Sequence, residues 1–181
     1  MTSSPAHPRR LFTGAGYAGF KLVVYLLLGA NTALFAIRGT AAEGLDATAW
    51  LTLVLLFELE TAHAARLASR RALIAVHAVR FTAAVAVVAA AIGYVGENDW
   101  LDATNAWLWI AVVVVLEIKV RFGRDGGQRP DASDAIAAVL YVALAALVGA
   151  WAWRGAWFDA YDAAIWLLAF FTIEMNVRRQ R

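Results

Sequence analysis

The chain has 181 residues, 62% of them hydrophobic, where a soluble domain averages about 45–50%. That surplus points to a protein dissolved largely in lipid, long enough for six spans of about 20 residues and too short for a soluble domain besides. A formal net charge of +2 gives a nucleic-acid partner no support, and the absence of cysteine excludes disulfides, thioether haem attachment and thiolate metal sites.

Residues 1–15 read as a cytoplasmic tail. Arg9-Arg10-Leu11-Phe12 resembles a twin-arginine export signal. The apolar stretch that follows is too long for a signal core and contains Lys21, so it is read as an anchor that stays in the protein. Residues 16–181 then form a single transmembrane domain. Its first apolar run is about Gly16–Ile37. The second, Ala47–Ala65, carries Trp50, Glu58, Glu60 and His63. The third, Ala72–Val95, carries His77 and Arg80 and is rich in alanine. The fourth, Ala103–Val120, carries Trp109, Glu117 and Lys119. A longer Gly-, Pro- and Asp-containing loop precedes the fifth, Ala135–Trp153, which Asp131 or Ser133 can start. The sixth, Ala163–Val177, carries Trp166, Glu174 and Asn176. Asp46, Asn105 and Asp162 stand at the starts of the even runs as N-caps. The expected fold is an all-α integral membrane bundle of six transmembrane helices.

Two features orient it. Arg9, Arg10, Arg66, Arg70, Arg71, Arg121, Arg124, Arg129, Arg178, Arg179 and Arg181 fall on one side, against Arg38 and Arg154 on the other. The positive-inside rule then puts both termini in the cytoplasm. All eight tryptophans fall on the opposite, outer side, where an indole meets both lipid and a hydrogen-bond partner. Trp50, Trp109 and Trp166 are expected to be interface anchors there. The outer loops also collect Glu43, Asp46, Glu97, Asp99, Asp102, Asp159 and Asp162. Arginine preference and high alanine suggest a bacterial cytoplasmic membrane.

Asp46-Ala47-x-x-Trp50-Leu51 leads to Glu58; Asn105-Ala106-x-x-Trp109-Ile110 leads to Glu117; Asp162-Ala163-x-x-Trp166-Leu167 leads to Glu174. Trp and Glu keep one separation throughout. Lys21 and Arg80 fall in register too, as do Glu60, Lys119 and Asn176. The unit reads as a helical hairpin used three times, over about 16–66, 71–121 and 134–178. Eleven residues from Ala47 to Glu58 are about 16 Å of helix, which places the glutamates near the midplane of a core about 30 Å thick.

One layer thus gathers Glu58, Glu60, Glu117 and Glu174 against Lys21, Arg80 and Lys119. In the first reading these charges pair and fix helix register: Lys21 with Glu58, Arg80 with Glu117, and Glu117–Arg121 and Glu174–Arg178 at i,i+4. That makes a structural or accessory subunit. In the second, chosen as the working function, the layer serves an ion- or proton-linked channel or transporter. The chain's only lysines, Lys21 and Lys119, both lie in spans, and lysine loses its proton more readily than arginine when desolvated. In the third, Glu60-Thr-Ala-His63 joins His77, Glu117 and Glu174 in a di-metal site. No hydrolase, P-loop or zinc-protease motif is present, so the balance falls against an enzyme, and no cofactor is called for. The expected partners are the bilayer and an ion or proton. Small residues on the third and fifth helices leave room for a second copy or a membrane partner.

Overall fold

Local capping sets where the helices begin. Thr40 and Glu43 form a reciprocal cap: the Glu43 amide donates to Thr40 Oγ1 (3.3 Å), and the Glu43 carboxylate accepts from the Thr40 amide. Asp99 Oδ1 accepts from the Asp102 amide (3.2 Å) in the same way. In this computed structural model, which describes residues 14–63, 67, 69–122 and 132–180, the elements are α1 (Gly14–Arg38), α2 (Ala41–His63), α3 (Arg70–Gly96), α4 (Trp100–Phe122), α5 (Ala132–Arg154) and α6 (Trp157–Gln180). Side chains are described for residues 16, 18–63, 67, 69–119 and 132–170. The arginines of the expected tail and most of the loop before α5 lie outside the described residues. Each even helix starts more than a turn before the cap that the sequence pattern implies, Asp46, Asn105 or Asp162. Asp46, Asn105 and Asp162 are therefore interior helical residues rather than N-caps.

α3 and α5 end in matching Schellman turns. Asn98 (φ 59°) and Gly155 (φ 80°) take the left-handed position. Asp99 N–H donates to the Tyr94 carbonyl and Ala156 N–H to that of Trp151, at 2.9 and 3.0 Å. Such short turns force each helix to run back along its predecessor. Each packs on its sequence neighbours, and α6 returns to α1, so the helices close into a ring.

Leu28, Val87, Val112 and Leu144 fill the middle of that ring. Ala42, Ala91, Ala103 and Ala106 bring α2, α3 and α4 close together. A Cβ added at Gly93 would lie 3.1 Å from that of Ala42. α3 turns Ala83, Ala90 and Ala91 inward, whereas Ala138, Ala145, Ala146 and Gly149 of α5 face out. Much of the outward surface is apolar: Leu26, Phe81, Val139 and Val142 are among the most exposed side chains. α1, α3, α4 and α5 contain segments long and apolar enough to cross a membrane, and this surface suits lipid contact. α2 is more heavily charged, with Glu43, Asp46, Glu58 and Glu60.

Gly155 gives a direct check on the turn. Nothing lies within 4 Å of a Cβ built there, so a substitution meets only backbone strain. Gly155→Val is expected to cost about 1–2 kcal/mol in thermal unfolding of the detergent-solubilised protein, and Gly155→Asn distinctly less.

Candidate functional site

Because α2, α4 and α6 start early, their polar residues enter the ring. A cavity of about 50 Å³ lies at this end, lined by Asp46, Asn105 and Asp162. One helical turn deeper, Trp50, Trp109 and Trp166 form its wall. One turn nearer the surface come Glu43, Asp102 and Asp159. The odd helices supply Phe35, Tyr94 and Trp151. Each of these triplets has the sequence separations of Trp50, Trp109 and Trp166. Phe170, Ala47 and Ala163 also line it, and among the described residues the lining includes no Lys, Arg or His.

The wall is rigid. Phe170 sits 4.6 Å from Trp109, 6.2 Å from Trp50 and 6.4 Å from Trp166, ring centre to ring centre, and Trp50 lies 6.3 Å from Trp109. Such tilted and edge-on contacts are favourable beyond their buried area. The three indoles are thus core residues rather than side chains turned to the lipid interface. Trp100, Trp107, Trp153 and Trp157 are the exposed tryptophans, and they cluster at the same end of the ring.

The acids fall into two kinds. Glu43, Asp102 and Asp159 occupy the first turns of their helices, where amide donors and the helix dipole favour a carboxylate whatever the function. Asp46 and Asp162 lie past that turn and lack this support. Buried Asn31 donates to Asp162 Oδ1 at 2.7 Å. Asp46 Oδ1 and Trp50 Nε1 are both buried, and neither completes a hydrogen bond. The indole N–H still lies near enough to favour the Asp46 charge.

Asp46, Asp159 and Asp162 precede the apolar runs that begin at Ala47 and Ala163. Burial is the main cause that raises all three above the ordinary carboxylate range. The neighbouring Asp162 charge adds to the rise at Asp46, Asp159 adds to that at Asp162, and Glu43 and Asp99 add to that at Asp159. Trp50 opposes it at Asp46, and Asn31 with Trp166 at Asp162.

A groove of about 280 Å³ at the α1–α6 seam shares Phe35, Glu43 and Asp159 with the cavity. Arg38 also lines it.

At the other end the charges pair between helices. Lys21 bridges to Glu58, whose second oxygen accepts from Tyr25 Oη at 3.2 Å. Arg80 bridges to Glu60 rather than facing Glu117, because α3 packs along α2. Lys119 bridges to Asp134 across the α4–α5 hairpin. None of these lines the cavity. Glu117 is exposed, and the side chains of Glu174 and Asn176 lie outside the described residues. His63 and His77 are exposed, and His77 Nδ1 sits 2.7 Å from its own helix's Leu73 carbonyl. Among the described residues, no three His, Asp or Glu side chains converge as metal ligands, Glu60 with His63 and His77 included.

Sequence reasoning grouped Glu43, Asp102 and Asp159 only as outer-loop acids and did not single out Phe35 or Tyr94. Their shared register with the tryptophans was the available signal. No family model matches the chain, and no curated protein or solved structure matches it either.

The raised acids fix a sign. A carboxylate whose folded pKa exceeds its unfolded value adds stability below the unfolded value, and this is lost as pH rises through the folded one. Thermal stability in detergent is therefore expected to fall by a few degrees from pH 5 to pH 8. Asp46→Asn and Asp162→Asn should each raise the pH 8 value and flatten the slope.

Proposed function

We propose that this chain is a polytopic membrane protein that takes a positively charged solute into the cavity in exchange for protons. One observation carries the reading: five carboxylates and, among the described residues, no base line a partly open space whose deepest acids, Asp46 and Asp162, are raised above the ordinary carboxylate range. A cation that enters would restore the charged forms and expel protons. The ion- or proton-linked activity expected from Glu58, Glu117 and Glu174 thereby moves to the opposite end of the helices.

What supports a threefold hairpin repeat is that its equivalent positions share this one cavity. The positive-inside rule would open it to the outer face of a bacterial cytoplasmic membrane, with both termini cytoplasmic. Direct exchange can be read in weak buffer near pH 7 with an indicator dye. Adding cations is expected to release protons from the parent and from Glu58→Gln, and not from an Asp46→Asn/Asp162→Asn double variant. If the parent releases none for any cation tried, the reading is wrong.

A second, structural role belongs to the pairs at the other end. Lys21–Glu58 and Arg80–Glu60 each join neighbouring helices, which suits the scaffold reading of that layer. Both Lys21 and Glu58 side chains keep 29% of their exposure, so the coupling should fall below the roughly 3–5 kcal/mol of a fully buried pair. Lys21→Met alone is expected to cost about 1–2 kcal/mol in denaturant unfolding, and Lys21→Met/Glu58→Gln to regain most of it.

A further inference from the structure

We propose that the cavity is a binding site for a small organic ammonium ion, with Asp46 and Asp162 as its counter-charges and Trp50, Trp109 and Trp166 as its wall. The inference rests on the reading of the cavity as a cation site and adds the chemical class of the occupant.

Sign comes first. The lining offers carboxylates and aromatic faces, and both attract positive charge. The acids alone would not make a site, since those in the first turns are explained by helix starts. The deeper pair is not, and the polar atoms beside it are incomplete. Trp50 is only 7% exposed, and its Nε1 lies near the Asp46 carboxylate, yet neither it nor Asp46 Oδ1 completes a hydrogen bond. A buried donor and acceptor left open at one wall are costly unless something fills them. One hydroxyl, of a water or of the occupant, can serve both.

The wall then separates classes of cation. A calcium or magnesium ion takes a shell of six or more oxygens at about 2–2.6 Å. Among the described residues no three acids converge as metal ligands, and seven of the lining residues are aromatic. An alkylammonium ion needs no such shell. It spreads its charge over methyl or methylene groups, and these pack on ring faces while the carboxylates supply the counter-charge at longer range. Tryptophan has the best face for this contact. Size agrees: at about 10–15 Å³ for each water-sized site, the cavity holds roughly three to five heavy atoms. That suits a methylated ammonium head group. The groove at the α1–α6 seam shares Phe35, Glu43 and Asp159 with the cavity and also carries Arg38, so it suits an uncharged remainder of such a molecule, with the ammonium head left in the cavity.

The test uses the purified full chain in detergent at pH 8, with tryptophan fluorescence as the readout. Four of the eight tryptophans line the cavity, so an occupant there should change the signal. Tetramethylammonium is expected to give a saturable change. Potassium at equal ionic strength should shift its apparent Kd less than twofold, and tert-butanol, a neutral molecule of the same heavy-atom count, should give none. Asp162→Asn should weaken binding at least tenfold, and Trp109→Phe, which keeps a ring in place, a few-fold. If Asp162→Asn does not fold, Asp46→Asn takes its place. Glu58→Gln, outside the site, should bind as the parent does. Equal competition by potassium, or proton release by potassium without tetramethylammonium binding, would overturn the ammonium inference and leave the cation reading standing. Saturation by tert-butanol as tight as by tetramethylammonium would show an apolar cavity and overturn it too. Absence of binding and of proton release with every cation would end both.

Discussion

The site depends on where three helices begin. Had α2, α4 and α6 started at Asp46, Asn105 and Asp162, those side chains would have capped amides at the rim, in water. The Thr40–Glu43 cap, Asp99 and the turn at Gly155 instead start the helices more than one turn earlier. The same residues then lie inside the ring, and the indoles four residues later follow them. A few local hydrogen bonds, each worth about 1 kcal/mol, thus decide that acids are buried and that tryptophans become core.

The two ends handle charge by opposite means. At the end away from the cavity every described ion pair joins an acid to a base across neighbouring helices: Lys21 with Glu58, Arg80 with Glu60, Lys119 with Asp134. Paired charges of this kind hold helix register and need nothing further. At the cavity end acids gather with no base on the lining among the described residues, and burial acts on the charged form directly. A pair satisfied within the fold has little reason to take a ligand. An unbalanced set is neutralised by protons or by a cation, which is why the cavity end carries the functional proposal and the opposite end the structural one.

Much of this was legible in the sequence, and the failures share a cause. Six helices followed from the apolar runs, because hydrophobicity over some twenty residues outweighs local detail. Lys21–Glu58 followed from their places in one hairpin. Hydropathy places a helix start where apolar residues begin, whereas the fold places it where amides are capped. Thr40-x-x-Glu43 was present as a cap signal, but the more obvious Asp46 stood nearer the apolar run. That error carried over to Trp50, Trp109 and Trp166: depth along the chain was read, and the inward rotation was not. Rotation depends on which faces pack, and helices apolar nearly all round give little sign of it. The Arg80 partner depended on α3 lying along α2, a packing detail no spacing in the sequence encodes.

The exception within the acid column is itself informative. Where α2 and α6 carry Asp46 and Asp162, α4 carries Asn105, of nearly the same shape and without charge. Asp46 already feels the charge of Asp162. A third carboxylate at that level would add further repulsion in a space with low dielectric screening. Asn105 adds an amide that can donate as well as accept, so the third wall stays polar without deepening the charge. Asn105 is therefore better understood as limiting the charge of the site.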